Sequence, residues 1–251
     1  MTLDKVMLVL HALGDADVRG LQAGEIVAST GLHRVTLHRL LRSLHDEGLI
    51  EQDESRRYHL GPQIWLLGLA ANRRFDLSSV AEGSLERLAA ETHDTIYLLR
   101  RIGDEVRCVS RHNGSYPIKS LVMEVGNAYP LGVGGGGIAV LLALPEEEQR
   151  EVLKRIGQRL GPYPKVTLAK IRQLLTQARR SGYAFWPALI SEALVVAVPI
   201  LDRAGRPVGA LSCAGIKERL EPARRGQIAA LLKREAKVIQ NRLAGANLGL
   251  R

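Results

Sequence analysis

The segment that most constrains the fold covers residues 31–61, because it joins a helical apolar pattern to a short hairpin pattern. Four leucines recur at helical spacing and predict one buried stripe: Leu37, Leu40, Leu41 and Leu44. From residue 30 to 45 there are three arginines, three histidines and no acid. We expect this helix to stop at Gly48, which suits a left-handed helix end. Two short strands are predicted at 50–53 and 57–60.

The face opposite the leucines is cationic, and the predicted hairpin that follows is basic at its tip. A helix and hairpin of this kind are typical of a winged helix-turn-helix that binds DNA. Arginines and hydroxyls can contact phosphates or base edges, and Val35 can touch a thymine methyl. The predicted DNA-binding residues are Arg34, Val35, Thr36, His38, Arg39, Arg42, Ser55, Arg56 and Arg57. The alternative is an ordinary helix with a solvated cationic face.

Two preceding segments complete a three-helix unit. Residues 3–13 predict an amphipathic helix whose buried face carries Leu3, Val6, Met7, Leu10 and Leu13. Residues 21–30 predict a short second helix, with its inward side chains at Leu21, Ile26 and Val27. We therefore assign residues 1–61 to a winged helix-turn-helix DNA-binding domain.

Residues 62–76 predict a linker helix that is apolar on nearly every side, and Pro62 suits its first turn. A helix without a polar face has to be buried against something. It packs either against the rest of its own chain or against a second copy, and the second case would make it a dimerisation helix.

From residue 77 the pattern changes to mixed helices and strands, without an internal repeat. We expect an α+β domain over 77–251, built on an antiparallel sheet. The helices are predicted at 77–92, within 131–144 after a glycine-rich loop, and at 146–155, 167–180 and 221–243. The strands are predicted at 95–101, 106–111, 118–122, 194–201 and 208–214.

The glycine-rich loop matches two nucleotide-binding patterns only in part. Gly132, Gly134 and Gly137 satisfy G-x-G-x-x-G, but an acidic helix follows where a dinucleotide site needs the next strand. A phosphate-binding loop needs Lys and Ser or Thr where Ile138 and Ala139 stand. The free N–H groups of a helix start can instead bind a carboxylate. Close packing of the helix on the sheet is an equally good explanation for the glycines.

Little else in the sequence indicates catalysis. Five of the seven histidines fall within residues 1–61, and no His-x-x-x-His pair encloses a Glu. Cys108 and Cys213 are far apart and in no metal-like cluster, which suits a reducing compartment. Acidic residues of the mixed region read as turn residues: Asp94, Asp104 and Glu105. We expect no catalytic residue, no metal site and no cofactor.

The net charge of +9 does not itself indicate a DNA-binding domain, because residues 1–75 carry nine basic and nine acidic side chains. The argument for DNA rests on local charge placement instead. No apolar run is long enough for a membrane span, and no signal peptide is expected. We expect a cytoplasmic protein.

Several motifs in order along the chain resemble the IclR family of bacterial transcriptional regulators. They are 31–41 (GLHRVTLHRLL), 47–50 (EGLI), 58–61 (YHLG), 126–131 (GNAYPL), 182–183 (GY), 198–200 (VPI) and 205–212 (GRPVGALS). The resemblance implies a winged helix, a dimerising linker helix and a GAF-like effector domain. It also implies a homodimer or homotetramer that binds double-stranded DNA with palindromic or repeated half-sites. A metabolic enzyme with an accessory helix-turn-helix, and a second domain that only assembles subunits, are the alternatives.

The resemblance also places a small effector at the glycine-rich helix start and near strand 212–214. The implied effector residues are Met123, Leu131, Val133, Gly135, Gly136, Gly137, Trp186, Val195, Ser212 and Ala214. The chain departs from the family where many members carry polar side chains, at 132–138, Trp186 and Ala214. We therefore expect a larger and more apolar effector than a two- or three-carbon acid, such as an aromatic acid.

Overall fold

The computed structural model describes residues 3–75, 77–187 and 193–245. The chain divides into two compact units between residues 75 and 76, and each unit has its own apolar core. This α+β architecture, with an N-terminal helix-turn-helix and a C-terminal antiparallel sheet, confirms the predicted fold class.

The first unit is a winged helix-turn-helix followed by one more helix. Its elements are α1 (Leu3–Gly14), α2 (Ala23–Thr30), α3 (Arg34–Asp46), β1 (Ile50–Gln52), β2 (Tyr58–Leu60) and α4 (Pro62–Phe75). The four leucines of α3 are buried, as their spacing predicts. Gly48 follows α3 with a φ of +66°, the left-handed conformation expected there. The strands of the wing pair antiparallel, with Ile50 opposite Leu60.

Two details of the first unit differ from prediction. Val9 is fully buried in α1, whereas Leu3 and Met7 are exposed. The buried face of α1 is therefore rotated about the helix axis relative to the predicted one, towards Val9 and Leu13. Leu21 lies outside α2 and exchanges two backbone hydrogen bonds with Tyr58, so it pairs with the wing instead.

The second unit is a six-stranded antiparallel sheet covered by helices. Its helices are α5 (Leu77–Thr92), α6 (Gly134–Ala143), α7 (Glu146–Gly157), α8 (Leu168–Ser181) and α9 (Pro222–Gly245). Its strands are β3 (Thr95–Ile102), β4 (Glu105–His112), β5 (Ala128–Pro130), β6 (Ala184–Pro187), β7 (Leu194–Leu201) and β8 (Pro207–Gly215). Their order across the sheet is β5-β4-β3-β8-β7-β6.

Both faces of the central strands are buried, because helices cover each side. One apolar cluster joins one face to α6, α7 and α8, and the other joins the opposite face to α5 and α9. Strand β7 shows the alternation: Val196 and Val198 belong to the second cluster, whereas Val195 and Ala197 belong to the first. A strand buried on both faces reads as a continuous apolar run, and residues 194–201 show this pattern.

Several details of the second unit differ from the predictions. Residues 118–122 are irregular and not a strand, and strands β5 and β6 were not predicted. Asp94 lies at the bend between α5 and β3, as predicted, but its carboxylate is also buried and accepts hydrogen bonds from Arg219 Nε (2.6 Å) and Arg224 Nη2 (2.8 Å). Buried charges need such partners, and these two lie more than a hundred residues further along the chain.

Candidate functional site

The outer face of α3 is open to solvent in the first unit. Five of the predicted residues are exposed and Thr36 is half-buried; the five are Arg34, Val35, His38, Arg39 and Arg42. Val35 is 72% exposed, although it is a large apolar residue. An exposed valine between cations suits contact with a base edge better than it suits a solvated helix face.

A groove runs beside this face and has a volume of about 460 Å³. It is lined by Lys5, Val35, Thr36, Arg39, Leu40, Arg42 and Ser43. No acidic side chain is among these residues, so the groove is cationic. Lys5 comes from α1 and was missed, because that helix was interpreted only through its apolar face.

The wing brings two more predicted residues to an exposed tip, Ser55 and Arg56. Arg56 has a φ of +58°, which is uncommon for a residue with a side chain. Asp53 holds this turn: its carboxylate accepts a hydrogen bond from the Arg57 N–H (2.8 Å) and pairs with His59 (3.0 Å). The His59 contact, followed by the Arg57 N–H, holds the pKa of Asp53 below its ordinary value.

The side chain of Arg57 faces the unit itself. Its Nη1 donates to the Gly20 carbonyl (2.9 Å) and pairs with Glu25 (3.2 Å). Arg57 therefore fastens the wing to the region before α2, unlike the neighbouring Arg56. Its predicted role in DNA contact stays a prediction.

The second unit contains a cavity of about 50 Å³ at the start of α6. Seven residues of the predicted effector set line it: Met123, Val133, Gly135, Gly136, Trp186, Val195 and Ser212. Six further lining residues were missed: Tyr97, Leu99, Val106, Val122, Tyr129 and Gly134. The alternation of β3 was the available signal, since Tyr97 and Leu99 share one sheet face.

Three residues of the predicted effector set do not line the cavity. Leu131 and Ala214 are buried in the core beside it. A Cβ on Gly137 would lie 2.9 Å from the Gly132 nitrogen, so that glycine permits close backbone packing. The structure gives these three residues packing roles, and a direct ligand contact would need the cavity to enlarge.

Gly135 and Gly136 line the cavity and also let α6 lie close to the sheet. A Cβ on Gly136 would come 2.0 Å from Leu99 Cδ1, and one on Gly135 would come 2.8 Å from Val195 Cγ1. Such distances are inside van der Waals contact, so an alanine at either position would force the side chain of Leu99 or Val195 to shift. Helix-on-sheet packing thus accounts for both glycines, and the helix start still opens into the cavity.

Two tyrosines fasten an irregular segment, residues 120–123, over the cavity. Tyr97 Oη donates to the Ser120 carbonyl (2.8 Å) and accepts from the Val122 N–H (3.0 Å). Tyr129 Oη donates to the Val122 carbonyl (3.2 Å). Burial raises the pKa of both hydroxyls, so both are neutral donors near pH 7.

Ser212 is buried and lines the cavity, as does Trp186, so the wall includes a small hydroxyl and an indole N–H. No charged side chain lines the cavity. The site is thus suited to a largely apolar molecule with a small polar group near Ser212 and the first N–H groups of α6.

Helix α4 carries an apolar exposed surface within the described residues. Trp65 is 65% exposed, and three leucines are at least 47% exposed: Leu66, Leu67 and Leu69. Packing within the first unit does not cover these side chains. Exposed apolar side chains in such number usually mark an interface.

The described residues offer no arrangement for catalysis of the kinds considered above. No group of three His, Cys, Asp or Glu side chains in them could hold a metal ion. Burial raises the pKa of Cys108 to about 11 and that of Cys213 to about 12, so neither is a ready nucleophile. No helix in the described ranges has the length and apolar character needed to cross a bilayer.

Comparison with known proteins agrees with this geometry. Residues 2–54 match the model of the IclR helix-turn-helix domain, and residues 69–241 match that of the bacterial transcriptional regulator IclR C-terminal domain. The glycerol operon regulatory protein of Streptomyces coelicolor is 30% identical over 226 residues, 87% of this chain and 86% of that protein. The transcriptional repressor IclR of Escherichia coli is 26% identical over 228 residues, 86% and 80% of the two chains.

Two solved structures extend the comparison to the fold. An IclR homologue from Microbacterium hydrocarbonoxydans, complexed with 4-hydroxybenzoate, is 25% identical with a TM-score of 0.77, covering 96% of this chain and 98% of that one. An IclR transcriptional regulator from Alicyclobacillus acidocaldarius is 26% identical with the same TM-score, covering 97% and 100%.

Proposed function

Since this chain belongs to the IclR family of bacterial transcriptional regulators, we propose that a small organic molecule in the cavity of its second unit controls how its first unit binds DNA. The protein is a DNA-binding transcriptional regulator and not an enzyme. The observation that carries the proposal is the cavity itself, with its apolar wall, the Ser212 hydroxyl among its lining residues and the start of α6.

The DNA contacts are assigned to the exposed face of α3 and the tip of the wing. Arg39 and Arg42 point away from the leucine core and reach bases or phosphates of the major groove. Arg56 lies at the wing tip, where it contacts the backbone beside the groove. Thr36 and Ser55 add hydroxyl donors.

The ligand is proposed to be an aromatic carboxylic acid. An aromatic ring fits the apolar wall, and its carboxylate accepts hydrogen bonds from Ser212 and the first N–H groups of α6. The Microbacterium hydrocarbonoxydans homologue was solved with 4-hydroxybenzoate, a compound of this class. A bound ring needs more room than the cavity offers. Segment 120–123 is the part that moves to make this room, because it is irregular and only the hydroxyls of Tyr97 and Tyr129 are proposed to hold it in place.

Assembly is proposed to run through α4. Its exposed tryptophan and leucines provide an apolar stripe that a second copy covers. A two-fold dimer places two α3 helices on palindromic or repeated half-sites, and a tetramer doubles this arrangement. The regulator acts in the cytoplasm, where the chromosome lies.

The DNA assignment is tested by fluorescence anisotropy with a labelled duplex from upstream of its own gene, over a salt series. Arg39→Ala and Arg56→Ala should each weaken binding, Arg39→Ala by roughly 10- to 100-fold, because a bidentate contact to a base is lost. Arg180→Ala, at an exposed cation of the second unit, is the matched control. Binding that neither variant weakens would mean that other cations carry the DNA contact.

The ligand assignment is tested by thermal shift with 4-hydroxybenzoate, benzoate, acetate and lactate. Both aromatic acids should raise the melting temperature, since a ligand that binds only the folded state stabilises it. Ser212→Ala should reduce that shift without unfolding the protein. Stabilisation by acetate and lactate alone would contradict an apolar site, and stabilisation by no small acid would favour a second unit that only assembles subunits.

A further inference from the structure

We infer that Lys5 binds a phosphate of the DNA backbone, so that the DNA-contact face extends from α3 onto the first turn of α1. This inference rests on the proposed DNA-binding role of α3 and adds a residue from a different helix. Lys5 is exposed, whereas Val9, one turn further along α1, is fully buried. Residues four apart lie on the same side of a helix, so the buried face of α1 begins one turn after Lys5, whose side chain stays exposed at the start of the helix.

The groove between α1 and α3 has the chemistry of an anion site. Lys5, Arg39 and Arg42 line it together with the hydroxyls of Thr36 and Ser43. Every polar side chain on this wall is a hydrogen-bond donor, and no carboxylate competes for the cations.

The cations of the first unit fall into two groups. Arg19 and Arg57 are paired with Asp17 and Glu25, so carboxylates already partner these cations. Among the described side chains of this unit, five cations form no ion pair or hydrogen bond: Lys5, Arg34, Arg39, Arg42 and Arg56. Four of the five were predicted to contact DNA from their position on α3 and the wing. Lys5 shares their unpaired state and lies on the same groove as two of them.

The expected contact is to phosphate and not to a base. A recognition helix in the major groove has the phosphates of each strand along its flanks, and α1 lies beside α3 at that flank. A lysine ammonium is a compact charge without the planar fork that reads guanine. Lys5 therefore adds affinity that is independent of sequence and sensitive to salt.

The test compares Lys5→Gln with Lys5→Arg on two duplexes, one selected by the wild-type protein from a random pool and one of random sequence. Lys5→Gln should weaken binding to both by the same factor, roughly three- to tenfold near 0.1 M salt. It should also lower the slope of log K against log salt by about one for each protomer. Lys5→Arg should restore both quantities, because it keeps the charge.

Two further variants separate the possible failures. Lys165→Gln removes an exposed charge from the second unit and should change neither quantity, which controls for net charge. Arg39→Ala, measured in parallel, reports on the α3 face itself. If Arg39→Ala weakens binding and Lys5→Gln does not, the Lys5 inference is wrong and the proposed function stands. If Lys5→Gln weakens only the selected duplex, Lys5 reads bases and the phosphate assignment is overturned.

Discussion

Helices α3 and α6 each contribute to a candidate site, but they differ in whether the same residues serve both core packing and ligand contact. In α3 the leucines face the core and the cations face solvent, so packing and contact belong to different side chains. In α6 the same two glycines, Gly135 and Gly136, pack on the sheet and line the cavity. Substitutions in α3 should therefore separate stability from binding, whereas substitutions in α6 should change both.

The largest expected effect comes from the buried side of α3. Leu41→Ala should lower the free energy of unfolding of the first unit by about 2–5 kcal/mol, because it leaves a cavity in a small core. Its neighbour Arg42→Ala, on the exposed side, should keep the melting temperature and lose DNA affinity. Thermal melting and anisotropy on both variants check this. A loss of stability in Arg42→Ala equal to that of Leu41→Ala would refute the division.

The matching test in α6 is Gly136→Ala. The added Cβ meets Leu99, and relieving that overlap should cost about 1–3 kcal/mol of stability. The variant should also lose the melting-temperature shift with 4-hydroxybenzoate, since the cavity wall moves. Gly226→Ala in α9 is the control, because its Cβ would meet nothing within 4 Å and should stabilise by roughly 0.5–1 kcal/mol. Equal melting temperatures for these two variants would argue against the close helix-on-sheet packing.

A smaller effect is expected where the cavity is closed by hydrogen bonds. Tyr97→Phe removes one donor and one acceptor, leaving the Ser120 carbonyl and the Val122 N–H unpartnered. We expect a loss of about 1 kcal/mol and faster hydrogen exchange at Val122. Tyr129→Phe removes a single longer hydrogen bond and should have a weaker effect. Unchanged exchange at Val122 in both variants would show that the hydroxyls do not hold the segment.

The smallest effect is expected at the wing tip and depends on pH. The pKa of Asp53 lies below its ordinary value of 3.8, because His59 and the Arg57 N–H favour the carboxylate. Above pH 3.8 the ionised carboxylate of Asp53 therefore stabilises the turn. This stabilisation is lost as the pH falls through the lower pKa that Asp53 has in the folded protein. Asp53→Asn should increase hydrogen exchange at 54–57 at pH 7, and the difference from wild type should shrink as acid protonates Asp53. A difference that stays constant down to that pH range would contradict this role.

Local patterns were sufficient for most elements and for the α3 face. The leucine spacing, the cations between the leucines and Gly48 each follow from the geometry of a single helix, which the chain encodes within a few residues. The same holds for the continuous apolar run of β7. Where one pattern fits two neighbouring faces, as in α1, local information was not enough, and Leu3 and Met7 were placed in the core although they are exposed.

The cavity required partners from distant parts of the chain. Tyr97 and Leu99 were not recognised as wall residues, because nothing in their neighbourhood says that α6 lies over that face of β3. Lys5 was missed for a similar reason, because it can contribute to a DNA-binding surface only where α3 lies beside it. The ion pairs of Asp94 could not be predicted either, because Arg219 and Arg224 lie far along the chain.

The sequence by itself determined the helix-turn-helix, the outward orientation of the α3 cations and the two-part organisation of the protein, because hydrophobic period and charge placement act over one or two turns of chain. Only the tertiary structure decided which residues enclose the cavity, that Arg57 faces inward while Arg56 faces out, and that Lys5 shares a groove with Arg39. Those outcomes depend on contacts between residues remote in sequence, and such contacts are selected by the packing of whole elements.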